Sequence, residues 1–174
     1  MRAFDFKLIK TYEDGKKTQC GQNQHKITMP IRQVTPTSEI NAYIERKLQT
    51  WRKLIIRNFI YVGEQVLNAA RSTDSYKDQT GNLRSSIGYV VVEDGRVVSA
   101  SNFETVKQGG KGSADGRQYA MELARKFPQG IVLIVCAGMN YAAYVSAKGL
   151  DVLDSAELMA DRLVPRMLKQ LGLK

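Results

Sequence analysis

Side chains that could do chemistry are scattered along this chain rather than grouped. General acid–base catalysis needs titratable groups held together in one pocket. The carboxylates that could serve fall in a predicted turn, in a loop, on a helix face and around a helix start, at Asp94, Asp115, Glu122, Asp151 and Asp154. No pair of them ends a predicted strand beside a histidine or lysine, and no G-x-S-x-G pattern is present. We therefore expect that the protein is not an enzyme.

The cysteines and the single histidine do not form a metal-ligand pattern. Cys20 lies in a polar, turn-rich stretch close to His25, and one cysteine with one histidine cannot complete a zinc site. Cys136 lies in an apolar run, where a cysteine behaves as a small buried hydrophobic residue. Two cysteines so placed do not make a disulfide framework either. We expect no metal and no other cofactor.

One glycine-rich segment, Gln108–Gly116, invites comparison with a phosphate-binding loop. Such a loop needs G-x-x-x-x-G-K-[ST] between a strand and a helix. Here Lys111 is followed by a glycine, and Thr105 stands five residues before Gly110, so the pattern fails. The Gly/Ser composition instead predicts a flexible insertion. We expect Asp115 to cap a short helix over 116–126 behind it.

The chain is basic, with a formal charge of +9. The excess is +4 over residues 1–37, +3 over 38–72 and +2 over the remainder. Such a balance serves solubility, or it indicates an acidic partner such as a phosphate backbone or an acidic protein surface. No homeodomain, zinc-finger, RRM or KH pattern accompanies the charge, which argues against sequence-specific reading of bases.

Neither a membrane span nor a signal peptide is predicted. The longest apolar run is well short of the roughly 20 residues that a span needs. The first ten residues mix acidic and basic side chains with apolar ones, so they contain no signal-peptide core. We expect synthesis and assembly in the cytosol.

Residues 1–37 read as an extended arm. Phe4–Ile9 and Ile27–Ile31 are strand-like apolar segments, and a stretch rich in Gly, Lys, Gln and Asn separates them. Pro30 places the second segment at a sheet edge or outside the sheet. The arm is either an edge hairpin of its own domain or a segment that pairs with a neighbouring subunit.

A long helix over residues 38–71 follows the arm. Thr35-Pro36-Thr37-Ser38 is a helix-start signal with a hydroxyl cap, and apolar residues then recur at intervals of three and four. At 1.5 Å per residue this helix would span about 50 Å, so it must overhang its domain or kink near Gly63. Its cations avoid the apolar stripe and either face solvent or meet an acidic partner.

The rest of the chain predicts a small sheet and a closing helix. Asp94-Gly95 between two β-branched runs indicates a β-hairpin. The run Ile131–Ala137 is typical of a strand buried on both faces. A helix over 154–171, which Pro165 should kink, completes the domain. We predict one α+β domain over 38–174, in which the long and closing helices pack on a small, mainly antiparallel sheet.

Two short motifs in this domain resemble a known family. Thr80–Ile87 reads TGNLRSSI and enters the hairpin, and Gly138–Gly149 reads GMNYAAYVSAKG after the last strand. In this order and spacing, over roughly residues 38–172, they resemble the tail-completion or neck proteins of tailed bacteriophages, also described as minor tail components. Ser146 stands where the family usually has an acidic residue, and the arm is additional to its short form.

The resemblance implies a structural protein of the virion. Such proteins form six-fold or twelve-fold rings in the head–tail connector, between the portal or head-closure proteins and the tail, and DNA passes through the centre without being read. The residues expected at the subunit interface are Phe4, Phe6, Ile27, Ile31, Arg84, Asn140, Tyr141 and Tyr144. Those expected in a loop lining the DNA channel are Lys107, Lys111 and Arg117. The alternative is a nucleic-acid-binding module that uses the basic face of the long helix together with this loop.

Overall fold

The computed structural model describes residues 36–172 of the chain. They form an α+β fold, as the sequence predicts. In chain order the elements are α1 (Thr37–Ser72), α2 (Asn82–Ser85), β1 (Ile87–Glu93), β2 (Arg96–Ala100), α3 (Gly110–Ala124), β3 (Ile131–Ala137), α4 (Ala142–Ala147) and α5 (Asp154–Gln170). The predicted arm contacts Phe4, Phe6, Ile27 and Ile31 lie outside the described residues.

The sheet is antiparallel and has the strand order β2-β1-β3. The predicted hairpin is confirmed, because β1 and β2 are joined by Asp94 and Gly95, both of which have positive φ. Two consecutive residues with positive φ form a hairpin turn whose twist matches that of the flanking strands. β1 pairs along its whole length with β3, from Ile87 opposite Ala137 to Glu93 opposite Ile131.

The strand buried on both faces is β1, and the prediction that β3 is this strand was wrong. Every residue from Ile87 to Val92 is buried. In β3, Val132, Ile134 and Cys136 are buried, whereas the alternate residues are only half-buried. A continuous apolar run shows that a strand has cover on both sides, but it does not distinguish a central strand from one at the edge.

Helix α1 runs antiparallel to β1. Near its end, the Arg71 Nη2 donates a hydrogen bond of 2.8 Å to the carbonyl oxygen of Ile87. In its middle, the Arg52 guanidinium forms ion pairs of 3.0 Å with Glu93 and 2.7 Å with Asp94, at the β1–β2 turn. The two ends of β1 are therefore matched by points 19 residues apart on α1, and the helix before Arg52 extends beyond the sheet.

The part of α1 that extends beyond the sheet, residues 37–51, is called the overhang. Each of its residues is exposed, and at 1.5 Å per residue it is about 20 Å long. The sequence predicted either an overhang or a kink near Gly63, and the described structure has the overhang. Helix α1 begins behind Pro36, which has no side-chain cap, so the predicted hydroxyl cap is not formed at that position.

Two apolar layers cover the sheet. On one face, α1 and α5 pack on Ile87, Tyr89 and Val91 of the central strand. On the other face, α3 packs on Val90 and Val92 together with the buried side of β3. The closing helix therefore lies where the sequence predicts it, with Pro165 inside it. No helix in the described part of the chain combines the length and apolar character of a membrane span.

The glycine-rich segment is not a flexible insertion, and this prediction was wrong. Residues 110–116 form the first two turns of α3, so Asp115 lies inside a helix and does not cap one. Gly109, Gly112 and Gly116 lie on the side of α3 that packs against α2 and the start of β1. Because these glycines have no side chain, the backbone of α3 packs directly against neighbouring backbone. This contact keeps the segment ordered.

Candidate functional site

Two of the carboxylates considered as possible catalytic groups, Asp94 and Asp151, have structural partners. Asp94 binds Arg52 and also accepts a hydrogen bond of 2.8 Å from the backbone N–H of Gly130. The Arg52 guanidinium and this N–H hold the pKa of Asp94 below its usual value. Asp94 therefore ties α1, the hairpin turn and the start of β3 together.

Asp151 has a similar role at the start of α5. It accepts hydrogen bonds from the backbone N–H of Ser155, at 3.0 Å, from the Ser155 hydroxyl and from the Thr73 hydroxyl. Partial burial opposes its ionisation, but these hydrogen bonds outweigh burial and lower its pKa. Among the described residues, no group of three or more His, Cys, Asp or Glu side chains could hold a metal ion.

Three of the predicted site residues meet at Asp78. The Asp78 carboxylate accepts hydrogen bonds of 2.9 Å from the backbone N–H groups of Gly81 and Arg84 and so fixes the turn before α2. The Lys107 Nζ donates to the backbone oxygen of Asp78 at 2.7 Å. Partial burial raises the pKa of the Tyr141 phenol, and the negative charge of Asp78 raises it further.

Arg84 is in α2, three residues before β1 begins. Its Nη2 donates at 2.6 Å to the backbone oxygen of Thr73 and at 3.2 Å to the carboxylate of Asp74. Its guanidinium lies 5.7 Å from the centre of the Tyr76 ring. Within the chain, Arg84 therefore fastens the segment after α1 to α2.

The other predicted residues are exposed at separate places. Tyr144 projects from α4, and its ring packs 4.5 Å from the Lys148 ammonium. Asn140 is exposed just after β3. Lys111 and Arg117 lie on α3, so the predicted channel loop from Lys107 to Arg117 is mostly helix. The glycines let this segment form a helix that packs closely on its neighbours instead of a loop. Any contact of Lys111 or Arg117 with DNA would therefore be made by a helix face.

A cavity of about 410 Å³ opens beside β3, between α3, α4 and α5. We call it the cleft. Its lining includes Leu123 of α3, Val135 and Ala137 of β3, Ala147 of α4, and Asp154 and Glu157 of α5. Asn140 reaches it as well. The cleft therefore lies next to the Asn140, Tyr141 and Tyr144 surface that the sequence singles out.

The cleft combines apolar walls with negative charge. Asp154 and Glu157 are in its lining, whereas no lysine or arginine among the described residues lines it. Neither carboxylate forms an ion pair with a described residue. In a chain of charge +9 this is an unusual local balance. It suits an occupant that is both apolar and cationic.

A second unpartnered surface lies on the overhang. Ile40, Ile44, Leu48 and Trp51 are between 40% and 52% exposed, and we call them the overhang stripe. Their spacing of four, four and three residues places them on one side of the helix. Trp51 lies eleven residues, or three turns, after Ile40, and the buried Val62 lies eleven residues after Trp51. The stripe thus continues the core-facing side of α1 into solvent.

The side of α1 opposite the overhang stripe is basic. Arg46, Lys53 and Arg57 are exposed and are spaced by seven and four residues, so they share a face. Lys53 is nine residues from Ile44, which places the two about 180° apart around a helix. The long helix therefore has an apolar side and a cationic side, as its sequence predicts.

Sequence reasoning missed three features of these surfaces. Of the two carboxylates of the cleft, Asp154 was assigned only to a helix start and Glu157 was not singled out, because nothing in the sequence shows that β3, α3 and α4 converge beside them. Asp78 was not among the predicted site residues. A signal existed for α3, since Gly109, Gly112 and Gly116 recur with helical spacing. A row of glycines at that spacing lets a helix backbone approach its neighbour closely.

No protein-family model, no curated protein and no solved structure matches this chain.

Proposed function

We propose that the protein is a structural component of the head–tail connector of a tailed bacteriophage, where copies assemble into a ring around the DNA path. The motifs Thr80–Ile87 and Gly138–Gly149 support the family, and the described geometry supports assembly. Under this proposal the protein is made in the host cytoplasm, functions in the virion and has no catalytic role. Its partners are further copies, the portal or head-closure proteins and the tail.

The observation that carries the proposal is the overhang stripe. Four large apolar side chains on one side of a helix are left in water by the described residues. Burying such side chains is worth about 1.5–3 kcal/mol each relative to full exposure. A single stripe that is buried over one half of α1 and exposed over the other therefore indicates a second body that covers it. A neighbouring copy in the ring is that body.

The arrangement favours head-to-tail contacts over a two-fold dimer. The overhang leaves the sheet at the Asp94 turn, whereas the cleft lies beside Val135–Ala137 at the other end of β3. Two different patches at opposite ends of one subunit make a heterologous contact, and repeating such a contact closes a ring if the rotation allows it.

The second candidate function is sequence-independent DNA binding, favoured by the cationic side of α1. The two functions are compatible, because burying the stripe against a neighbour leaves Arg46, Lys53 and Arg57 uncovered. A separate binding module would, however, remain a monomer or dimer and bind duplex DNA with an affinity that falls steeply with salt.

Native mass spectrometry of the purified chain, with and without duplex DNA at physiological salt, tests the proposal. The expected result is a closed multimer of six or twelve copies without DNA. A monomer whose mass changes only on adding DNA would favour the binding module. A monomer in both conditions would require the same measurement with portal and head-closure proteins, and failure to join them would contradict the connector role.

The stripe is tested by Leu48→Glu. Leu48 is 52% exposed, so the substitution should leave the fold intact while placing a charge in the subunit contact. We expect weaker self-association by at least tenfold. The matched control is Val98→Glu, at an apolar position of β2 that is 43% exposed and is not part of the stripe. Equal effects of the two substitutions would show that the stripe is not the contact.

A further inference from the structure

The outer side of β3 has no strand partner among the described residues. β3 pairs with β1 on one side, and it ends the sheet on the other. An uncovered strand edge carries unpaired N–H and C=O groups and accepts an extended segment. At this edge the cleft provides the space for one.

The cleft would cover both faces of an added strand. Its lining includes Tyr119 and Leu123 of α3 on the side where Cys136 is buried. It also includes Leu153, just before α5, and Glu157 of α5 on the side of Val135. An extended segment placed beside β3 would thus gain main-chain hydrogen bonds from the edge and side-chain contacts from two helices. These are the two parts of recognition by strand addition.

The lining also selects the chemistry of that segment. Most of the wall is apolar, and the two charged groups in it, Asp154 and Glu157, are both acidic. A fitting segment is extended, alternates apolar residues along one side and carries cations on the other or at its end. An acidic or strongly polar segment would leave these carboxylates unpaired or repelled.

Phe4–Ile9 of this chain has that pattern. In an extended conformation Phe4, Phe6 and Leu8 fall on one side, and Lys7 falls on the other with Asp5 and Ile9. Lys10 follows directly. The second apolar segment of the arm, Ile27–Ile31, is less suitable because it contains Pro30, which cannot donate a main-chain hydrogen bond.

The point at which the arm joins α1 is far from the cleft of the same copy. The chain enters α1 at Pro36, about 20 Å beyond the Asp94 turn, and the cleft lies at the far end of the sheet from that turn. The 26 residues between Ile9 and Pro36 span up to about 90 Å when extended. They can therefore reach a cleft on the neighbour towards which the overhang points.

Resting on the proposed ring assembly, we propose that Phe4–Ile9 of one copy adds as a strand to the outer edge of β3 in the next copy, with Lys7 or Lys10 paired to Asp154 and Glu157 in the cleft.

The first test measures strand capture without requiring a ring. The receptor is the full-length chain carrying Phe4→Glu and Phe6→Glu, which leaves its cleft unoccupied. A fluorescent peptide of residues 2–11 should raise its anisotropy on binding. Adding Ala147→Trp, which fills the cleft from an exposed position on α4, should weaken binding at least tenfold. Ala114→Trp, at an exposed position of α3 outside the cleft, is the matched control and should leave binding unchanged.

The second test uses the charges. Lys7→Glu with Lys10→Glu in the peptide should weaken binding, and so should Glu157→Lys with Asp154→Lys in the receptor. Combining the two sets should restore part of the affinity, which general damage to the fold would not do. Absence of peptide binding to the unaltered cleft, or equal binding after Ala147→Trp, would overturn the proposal.

The third test concerns assembly. Full-length chains with Phe4→Glu and Phe6→Glu, or with Ala147→Trp, should each be monomeric at concentrations where the wild type is a multimer. An equimolar mixture should give a one-to-one heterodimer, since each chain supplies what the other lacks. The matched control is Gln22→Glu with Gln24→Glu, in the polar stretch between the two apolar segments of the arm, which should retain the wild-type mass.

These outcomes separate the two proposals. A ring that persists in the Phe4→Glu and Phe6→Glu variant supports the connector role and overturns strand exchange. Peptide capture in a wild-type chain that stays monomeric even with its virion partners supports the cleft as a strand site and contradicts the ring. A wild-type chain that stays monomeric because its own arm fills its cleft would overturn the exchange between copies.

Discussion

The glycines of α3 are the residues whose role differs most from what composition predicts. A Cβ built on Gly116 would lie 2.5 Å from the carbonyl oxygen of Ser86, which is too close for any real side chain. A Cβ on Gly110 would meet no atom within 4 Å. Two glycines of one helix therefore have opposite requirements, and only the packing of α3 against β1 distinguishes them.

We predict that Gly116→Ala lowers the free energy of unfolding by about 1–3 kcal/mol, because the backbone of α3 must move away from Ser86. Gly110→Ala is the control in the same helix and should raise stability by up to about 1 kcal/mol through its helix propensity. Urea unfolding followed by circular dichroism measures both. A loss of similar size for the two variants would contradict the packing argument.

Asp151 should make stability depend on pH in the acidic range. Its folded-state pKa is lowered, so its contribution is complete above the unfolded value of about 3.9 and is lost as pH falls through the folded value. We predict that Asp151→Asn is less stable than wild type at pH 6 and that the difference shrinks below pH 4. Unfolding curves across this range measure it. A difference that stays constant with pH would assign the role of Asp151 to shape and not to charge.

At the scale of elements, the sequence predicted helices and strands well where the pattern is local. The three-four spacing of α1 and the Asp94-Gly95 turn depend on neighbouring residues, and both predictions are confirmed. Whether β3 is a central strand or an edge strand, and whether Gln108–Gly116 is ordered, depend on which part of the backbone, distant in sequence, packs beside them. Both predictions were wrong for this reason. The cleft was out of reach for the same reason, since four elements that are separate in the sequence form it.

The two halves of α1 should differ in local stability. Isolated helices of about 15 residues are marginal in water, and the overhang has no packing from the described residues. In a monomeric sample, such as the Leu48→Glu variant, we predict that amides 40–50 exchange hydrogen much faster than amides 59–70. Hydrogen exchange with mass spectrometry measures this gradient. Uniform protection along α1 in the monomer would mean that another part of the same chain covers the overhang.

At the scale of the whole molecule, charge is separated between two sides. The cationic side of α1 lies towards the Asp94 turn, and the acidic cleft is formed by other elements at the opposite end of the sheet. The total charge of +9 therefore hides a local negative site, which composition could not reveal. In a ring, this separation allows one side of each subunit to face DNA while the other engages a neighbour.

DNA binding should be weak and sensitive to salt. We predict that reversing Arg46, Lys53 and Arg57 to Glu reduces the slope of log affinity against log salt by about 2–3, in line with about 0.9 per phosphate contact. Anisotropy titrations with duplex DNA of two unrelated sequences measure this, and equal affinity for both is expected. Lys126→Glu with Lys169→Glu, both exposed, is the control for a general change of charge. An unchanged slope in the triple variant would exclude this face from DNA contact.

The spacing of the stripe on α1 has a mechanical consequence. Left-handed coiled coils require apolar residues that repeat every seven positions, whereas an 11-residue repeat keeps an apolar line almost parallel to the helix axis with a slight right-handed twist. Two overhangs side by side would not wind around each other in the left-handed sense. Each overhang would instead remain a straight helix that is held to the sheet at Arg52. Over about 20 Å, a tilt of about 10° in one subunit would move the first residues of this helix by about 3–4 Å. A change in the orientation of one subunit would thus reach the next through the helix that carries its arm.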